Sequence, residues 1–390
     1  IQTPEYVTKI QSDESFVKDF QAYRRVQMVM GSCRVYVSNK QVRPPTVYQK
    51  TYTMICSTVT LYLTVTSLKQ YISEVYYNTS IYDICLSALV VHGSTYYTNI
   101  IHARCLNNDQ NVNLYLKMQA LERLMKIENN KEFTSTLRKT NNRTVTAIIT
   151  TVAVLFCLAT TGGPLMLFAF IGLTGTHTVF ILETSLCADL MKYLYLRVRF
   201  VNSILANHIR MAKGKVLSTM KESGESGSIA KVTNETLMNA LVAKSHDFKT
   251  SETDKYLKHI FACFDIYHDV FAFQVLLILI SFEFVVTIQE WVIVMTMLLN
   301  GFLQALFICI RCEKFYRAVK QTKKLSVDIM SRHFEGPLRK KARKMVRMIE
   351  EIPPRFSVYG MWQLNANIML KLFSAATTMF VTVLQFALGT

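Results

Sequence analysis

The residues with the clearest chemical pattern stand near the C-terminus. Lys371, Ser374, Thr378, Thr382, Gln385 and Gly389 follow one another at steps of three or four. On a helix, at about 100° per residue, they share a stripe roughly 80° wide. Leu372, Phe373, Met379, Phe380, Val383 and Leu384 cover the other faces. Hydroxyls and an amide aligned on an apolar helix can do one of two things. They can seat a neighbouring helix, which the small residues Ser374, Ala375, Ala376 and Thr378 would suit. Or they can line a path for water and ions. One helix cannot enclose a path. A pore built from this stripe requires several copies around an axis, and closed cyclic symmetry is the usual solution.

The elements that must position this helix are read from the apolar runs. The chain has 390 residues, 51% hydrophobic and only 18% charged. Soluble domains carry roughly a quarter charged residues. A bilayer crossing needs about 20 mostly apolar residues. Such runs are expected at 46–68, 81–102, 144–161, 177–196, 270–288, 292–310 and 367–388. The run from Pro164 to Leu196 is too long for one crossing, so 162–176 is read as an outer loop or lip. The first two runs are rich in Thr, Tyr and Ser. No signal peptide is read at the front of the sequence.

The basic residues set the orientation. Segments 1–50, 103–143, 197–269 and 311–350 hold 40 of the 44 Lys and Arg. Loops 69–80, 162–176 and 289–291 hold only Lys69. The positive-inside rule puts the loaded segments, with the N-terminus, in the cytoplasm and the C-terminus outside. A metabotropic seven-helix receptor has the opposite orientation. The net charge of +17 thus lies on the inner side of the spans, which argues against nucleic acid as its partner. None of the 9 cysteines falls in an outer loop, so no disulfide is expected there. Cys309 and Cys312 form one CxxC without a second pair, and no metal site is read from it. The sequon at Asn78 lies in the first outer loop and is the glycosylation candidate.

The inner segments carry helices of their own. In 114–133, Leu114, Met118, Leu121, Leu124 and Met125 recur at helical spacing. Segment 313–351 mixes twelve Lys and Arg residues with Phe315, Leu325, Ile329, Met345 and Met348. These helices can form an anchor where subunits meet, or a basic face on anionic lipid. Residues 214–253 read as a polar linker. The expected fold is an all-α membrane protein with seven transmembrane helices. Its parts are a cytoplasmic segment 1–45, spans one to six over 46–310, basic anchor helices 311–356 and a last helix in 357–390. No HExxH, GxSxG or phosphate-binding loop points to an enzyme, and no cofactor is implied. A secondary transporter would show internal repeats and broken helices, which are not seen.

Residues 378–386, TMFVTVLQF, resemble the last-helix signature of the insect gustatory receptors: Thr-Tyr, five hydrophobic residues, Gln-Phe. Thr378, positions 380–384, Gln385 and Phe386 fit, while Met379 stands where the family has Tyr. The resemblance implies a homotetrameric, ligand-gated, non-selective cation channel in the plasma membrane. Its central pore would be lined by the last helix, with Ser374, Thr378 and Thr382 on the wall and Gln385 and Phe386 at the outer neck. Phe rings can close such a neck by dewetting, and amides can line it when open. The absence of a TVGYG run speaks against potassium selectivity, and Arg197 and Arg199 are too few for a voltage sensor.

The same resemblance implies an outward-facing pocket for a small tastant, a sugar or a bitter compound, among spans two to six. Fructose and other sugar receptors of the family are one model for it. A sugar needs an apolar ring to stack on and amides or carboxylates for its hydroxyls. Trp291, Gln289, Glu283, Glu183, His177 and Asn300 are the candidates. Glu183 and Glu283 lie inside apolar runs, where a carboxylate without a role is costly. Trp291 can equally be an interfacial anchor, and His177 a loop residue.

Overall fold

A computed structural model describes residues 18–38, 41–75, 90, 93–125, 131–160, 164–221, 252–283, 291–332 and 336–365. It also describes the helical positions 367–368, 370–371, 373–375, 377–378, 381 and 385. The described residues are mainly helical. Helix α1 is Gln21–Val29. A small antiparallel hairpin follows, β1 Tyr36–Ser38 and β2 Gln41–Arg43, with Val37 opposite Val42. Then come α2 Val47–Val75, α3 Asn108–Met125, α4 Lys131–Thr160 and α5 Pro164–Lys221. They are followed by α6 Thr253–Glu283, α7 Trp291–Arg332 and α8 Pro337–Glu351. A second hairpin, β3 Ser357–Val358 and β4 Trp362–Gln363, leads into the last helix.

Helix α2 shows how polar residues live in an apolar run. Thr53, Ser57, Thr60, Thr64 and Thr66 each donate a hydroxyl hydrogen bond to the carbonyl four residues earlier, at 2.7 to 2.9 Å. The helix satisfies its own hydroxyls. Tyr48, Ile55, Val59 and Tyr62 on α2, and Ile149, Val154 and Phe156 on α4, are exposed large apolar side chains. A water-soluble surface rarely gathers so many.

Helix α5 is the axis of the fold, and it corrects the reading of 162–176 as a lip. The described part of that segment is helix from Pro164, and it continues without a break to Lys221. At about 1.5 Å per residue this helix is roughly 87 Å long. The glycines in its first part serve a close approach to α2. A Cβ on Gly172 would lie 2.6 Å from the backbone nitrogen of Thr64, and one on Gly175 3.0 Å from Cγ2 of Thr60. The helix that packs on α2 therefore starts before His177.

The second part of α5 runs through the main core. Leu186, Leu190, Leu194, Val198, Val201 and Leu205 are all but fully buried. They cluster with Leu257, Ile260 and Phe264 of α6, Ile308, Phe315 and Val319 of α7, and Met345 of α8. Phe264 and Phe315 stack with centroids 5.0 Å apart. Helix α8 buries Ala342, Met345 and Ile349 and turns Lys340, Arg343, Lys344 and Arg347 to solvent. This is an ordinary amphipathic pattern. Helix α7 passes through position 311 uninterrupted, from the apolar run into the basic stretch. The first eight residues of the expected linker 214–253 are the end of α5, and 222–251 lie outside the described residues. Among the described residues one stretch, Thr253–Leu277, is long and apolar enough to cross a membrane, and most of it is buried within the protein.

Candidate pore helix and buried polar network

The last helix begins at a sequence-encoded cap. The side-chain oxygen of Asn365 accepts hydrogen bonds from the backbone N–H groups of Asn367, at 3.0 Å, and Ile368, at 3.2 Å. Asparagine is among the best residues for this position. Thr377 and Thr378 donate their hydroxyls to the carbonyls of Phe373 and Ser374, at 2.9 and 3.0 Å. Ile368 is buried, and the ring of Phe373 lies 6.3 Å from that of Phe302 on α7. Lys371, Ser374, Thr378 and Gln385 are exposed along its polar stripe. Leu370, Phe373 and Val381 are exposed on its apolar flank, the first at 70%. Among the described residues of this helix, both the polar stripe and the apolar flank are thus exposed. Thr382 and Phe386 lie outside the described residues.

Under α5 lies a second polar feature. The Arg34 guanidinium, between α1 and β1, meets the Glu183 carboxylate at 2.5 Å, with both side chains 2% exposed. Gln27 of α1 donates to the other Glu183 oxygen at 2.9 Å. Arg34 also donates to Gln274 of α6 at 2.5 Å and to Asn111 of α3 at 3.4 Å, and it sits 4.6 Å over the ring of Phe271. Two more buried charges follow along α5. Asp189 accepts from the Tyr23 hydroxyl at 2.8 Å and faces Arg311 of α7 at 3.9 Å. Arg197 faces Glu122 of α3 at 3.6 Å and covers the ring of Tyr193 at 4.0 Å. Each of these three charges on α5 is answered from another element, which is what lets a charge persist in a dry core.

This network changes the assignment of Glu183, which the sequence placed among ligand contacts in an outer half-span. Its carboxylate is engaged by Arg34 and Gln27, both from the segment ahead of α2. It is a structural counter-ion. His177 is half-buried on α5. Trp291 and Asn300 are helical positions of α7, and Glu283 ends α6; their side chains lie outside the described residues. Gln289 and Asn78 lie outside them altogether. Cys309 and Cys312 are buried free thiols on α7, and Arg197 is locked by its partners. Sequence reasoning missed Arg34, Gln27, Gln274, Asn111 and Asn365. Two of these carried a signal: Gln274 interrupts the apolar run FAFQVLL, and Asn365 precedes an apolar helix as a cap does.

No family model matches the sequence, and no curated protein matches it. The structure, in contrast, superimposes on a solved one. It is similar to the insect olfactory receptor OR5 from Machilis hrabei, determined in complex with eugenol, with a TM-score of 0.58 and 10% sequence identity. The match covers 96% of this chain and 100% of that chain. A likeness of that extent at that identity speaks to architecture: the chain has the fold of an insect olfactory receptor.

Proposed function

We propose that this protein is a chemoreceptor subunit of the plasma membrane and that several copies, four by resemblance, form a ligand-gated, non-selective cation channel. The observation that carries the reading is the last helix. Its polar stripe and its apolar flank are both exposed in the single chain, as a pore-lining helix requires before its symmetry mates are in place. The exposed apolar side chains of α2 and α4 support a lipid surround. The shared fold with a receptor solved with a small phenolic ligand supports a small-molecule trigger. The gustatory-type motif at 378–386 favours a tastant, with a sugar ahead of a bitter compound. Trp291, Gln289, Glu283, His177 and Asn300 remain the residues proposed for ligand contact, and Asn78 the proposed glycan site in a first outer loop. Gln385 and Phe386 form the proposed neck.

Whole-cell recording tests this. Cells with surface-labelled protein are challenged with sugars, bitter alkaloids and eugenol. The expected current reverses near 0 mV and is carried by sodium and potassium alike. Phe386→Ala is expected to raise the current without ligand, because a dewetted neck loses its closing ring. Silence across the panel together with a wild-type baseline in Phe386→Ala would overturn the channel reading.

A further inference from the structure

A cavity of about 420 Å³ opens between α7, the end of α8 and the second hairpin. That volume is in the usual range of ligand pockets, roughly 300–1,000 Å³. Its polar lining is one-sided. Lys320 and Lys323 enter from α7 and Arg355 from the connector after α8, while no carboxylate lines it. Lys323 is paired at 2.8 Å with Glu350, which is itself more than half exposed. Lys320 and Arg355 have no carboxylate within ion-pair distance among the described residues. A concave site lined by one sign of charge focuses its field on whatever enters. Neutral donors complete it. Gln363 and Asn365 line the cavity, and Tyr316 takes the backbone N–H of Phe356 at 2.6 Å, which fixes the hairpin over it. Pro353 and Pro354 stiffen the remaining wall.

Asn365 has two duties. It lines the cavity and it caps the last helix, so the positive end of that helix opens beside the three cations. Two N–H groups of the first turn are taken by Asn365, and the aligned peptide dipoles still make the helix N-terminus attractive to phosphate. We propose that this cavity binds a compact polyanion, a multiply phosphorylated head group, at the foot of the last helix. The source is either a phosphorylated lipid or a free phosphate ester of the cytosol, and both present the same group to Lys320, Lys323 and Arg355. The binding itself does not depend on the channel reading and is measured without current.

The test uses the full chain, purified and held in nanodiscs. Free inositol 1,4,5-trisphosphate is titrated, and nanodiscs carrying phosphatidylinositol 4,5-bisphosphate are compared with phosphatidylserine nanodiscs of equal charge. Wild-type protein is expected to bind saturably. K320Q combined with R355Q is expected to weaken binding about tenfold or more, since each removes a charge-assisted bond. K340Q with R343Q, on the exposed face of α8, is expected to stay within about twofold. Gln363→Trp, which fills the cavity and leaves its charge alone, gives a second measure if the charge variant is poorly folded; it too is expected to block binding. Binding of the free trisphosphate assigns a soluble source, and binding of the lipid form alone assigns the membrane. No preference for phosphorylated inositol in either form overturns the proposal. So does an equal loss in K340Q/R343Q, which would assign the effect to diffuse surface charge, and so does unchanged binding in Gln363→Trp.

Discussion

Arg34 and Glu183 hold each other in a place where neither could stand alone. Removing one leaves the other buried and unanswered, so Arg34→Ala or Glu183→Ala is expected to destabilise the protein by about 3–5 kcal/mol. Replacing both by Met and Leu is expected to cost less than either single change, because no orphan charge remains. Melting of the detergent-purified variants measures both. Asp19 is the reverse case. Its carboxyl is buried, with Arg138 at 3.2 Å and partly exposed. Burial, only partly offset by Arg138, raises its pKa to about 6. The folded state therefore holds this proton more tightly than the unfolded chain does. The stability it adds is present below about pH 4 and is lost as pH rises through about 6. Relative to Asp19→Asn, the wild type is expected to gain roughly 2 kcal/mol between pH 7 and pH 4. Paired melts at the two pH values show it. None of these pairs was legible in the sequence. Arg34 reaches Asn111 and Gln274 across 77 and 240 positions of chain, and no local pattern marks such a meeting.

At the scale of elements the sequence was easier to read where apolar residues keep a helical period. Leu114, Met118, Leu121 and Met125, expected at helical spacing in 114–133, are buried on α3, and Leu124 is half-buried. Phe315, Ile329 and Met345, expected among the basic residues of 313–351, are buried as well, while Leu325 and Met348 are half-buried. The reading failed at the start of α5, and the reason is physical. The length of the apolar run suggested a loop there, yet Gly172 and Gly175 lie inside a helix and let α2 come close. Gly172→Ala is accordingly expected to push α2 away and cost about 1–3 kcal/mol, seen as a lower melting temperature. Thr66→Val on the exposed flank of α2 is a useful contrast. Its hydroxyl only returns to the Tyr62 carbonyl, so the change is expected to stay within about 0.5 kcal/mol.

For the whole molecule, the fold is shared with an olfactory receptor at 10% identity, so few individual side chains are needed to specify it. What carries it is the placement of apolar faces and helix lengths, which is why the all-α class could be read from composition and periodicity. The last helix was legible in the same way, as a stripe, but its foot was not. The cap at Asn365 and the cavity beside it arise from a hairpin that no apolar pattern announced. One further consequence belongs to α5. A single unbroken rod of roughly 87 Å joins the region packed on α2 to the deep core. A rod has no joint at which to absorb a displacement. A tilt of about 5° over that length moves one end by roughly 7–8 Å relative to the other, a lever arm much longer than any shift of a side chain. A displacement at one end of this helix would thus reach the other by leverage, with the tight glycine contact at Gly172 close to its first end.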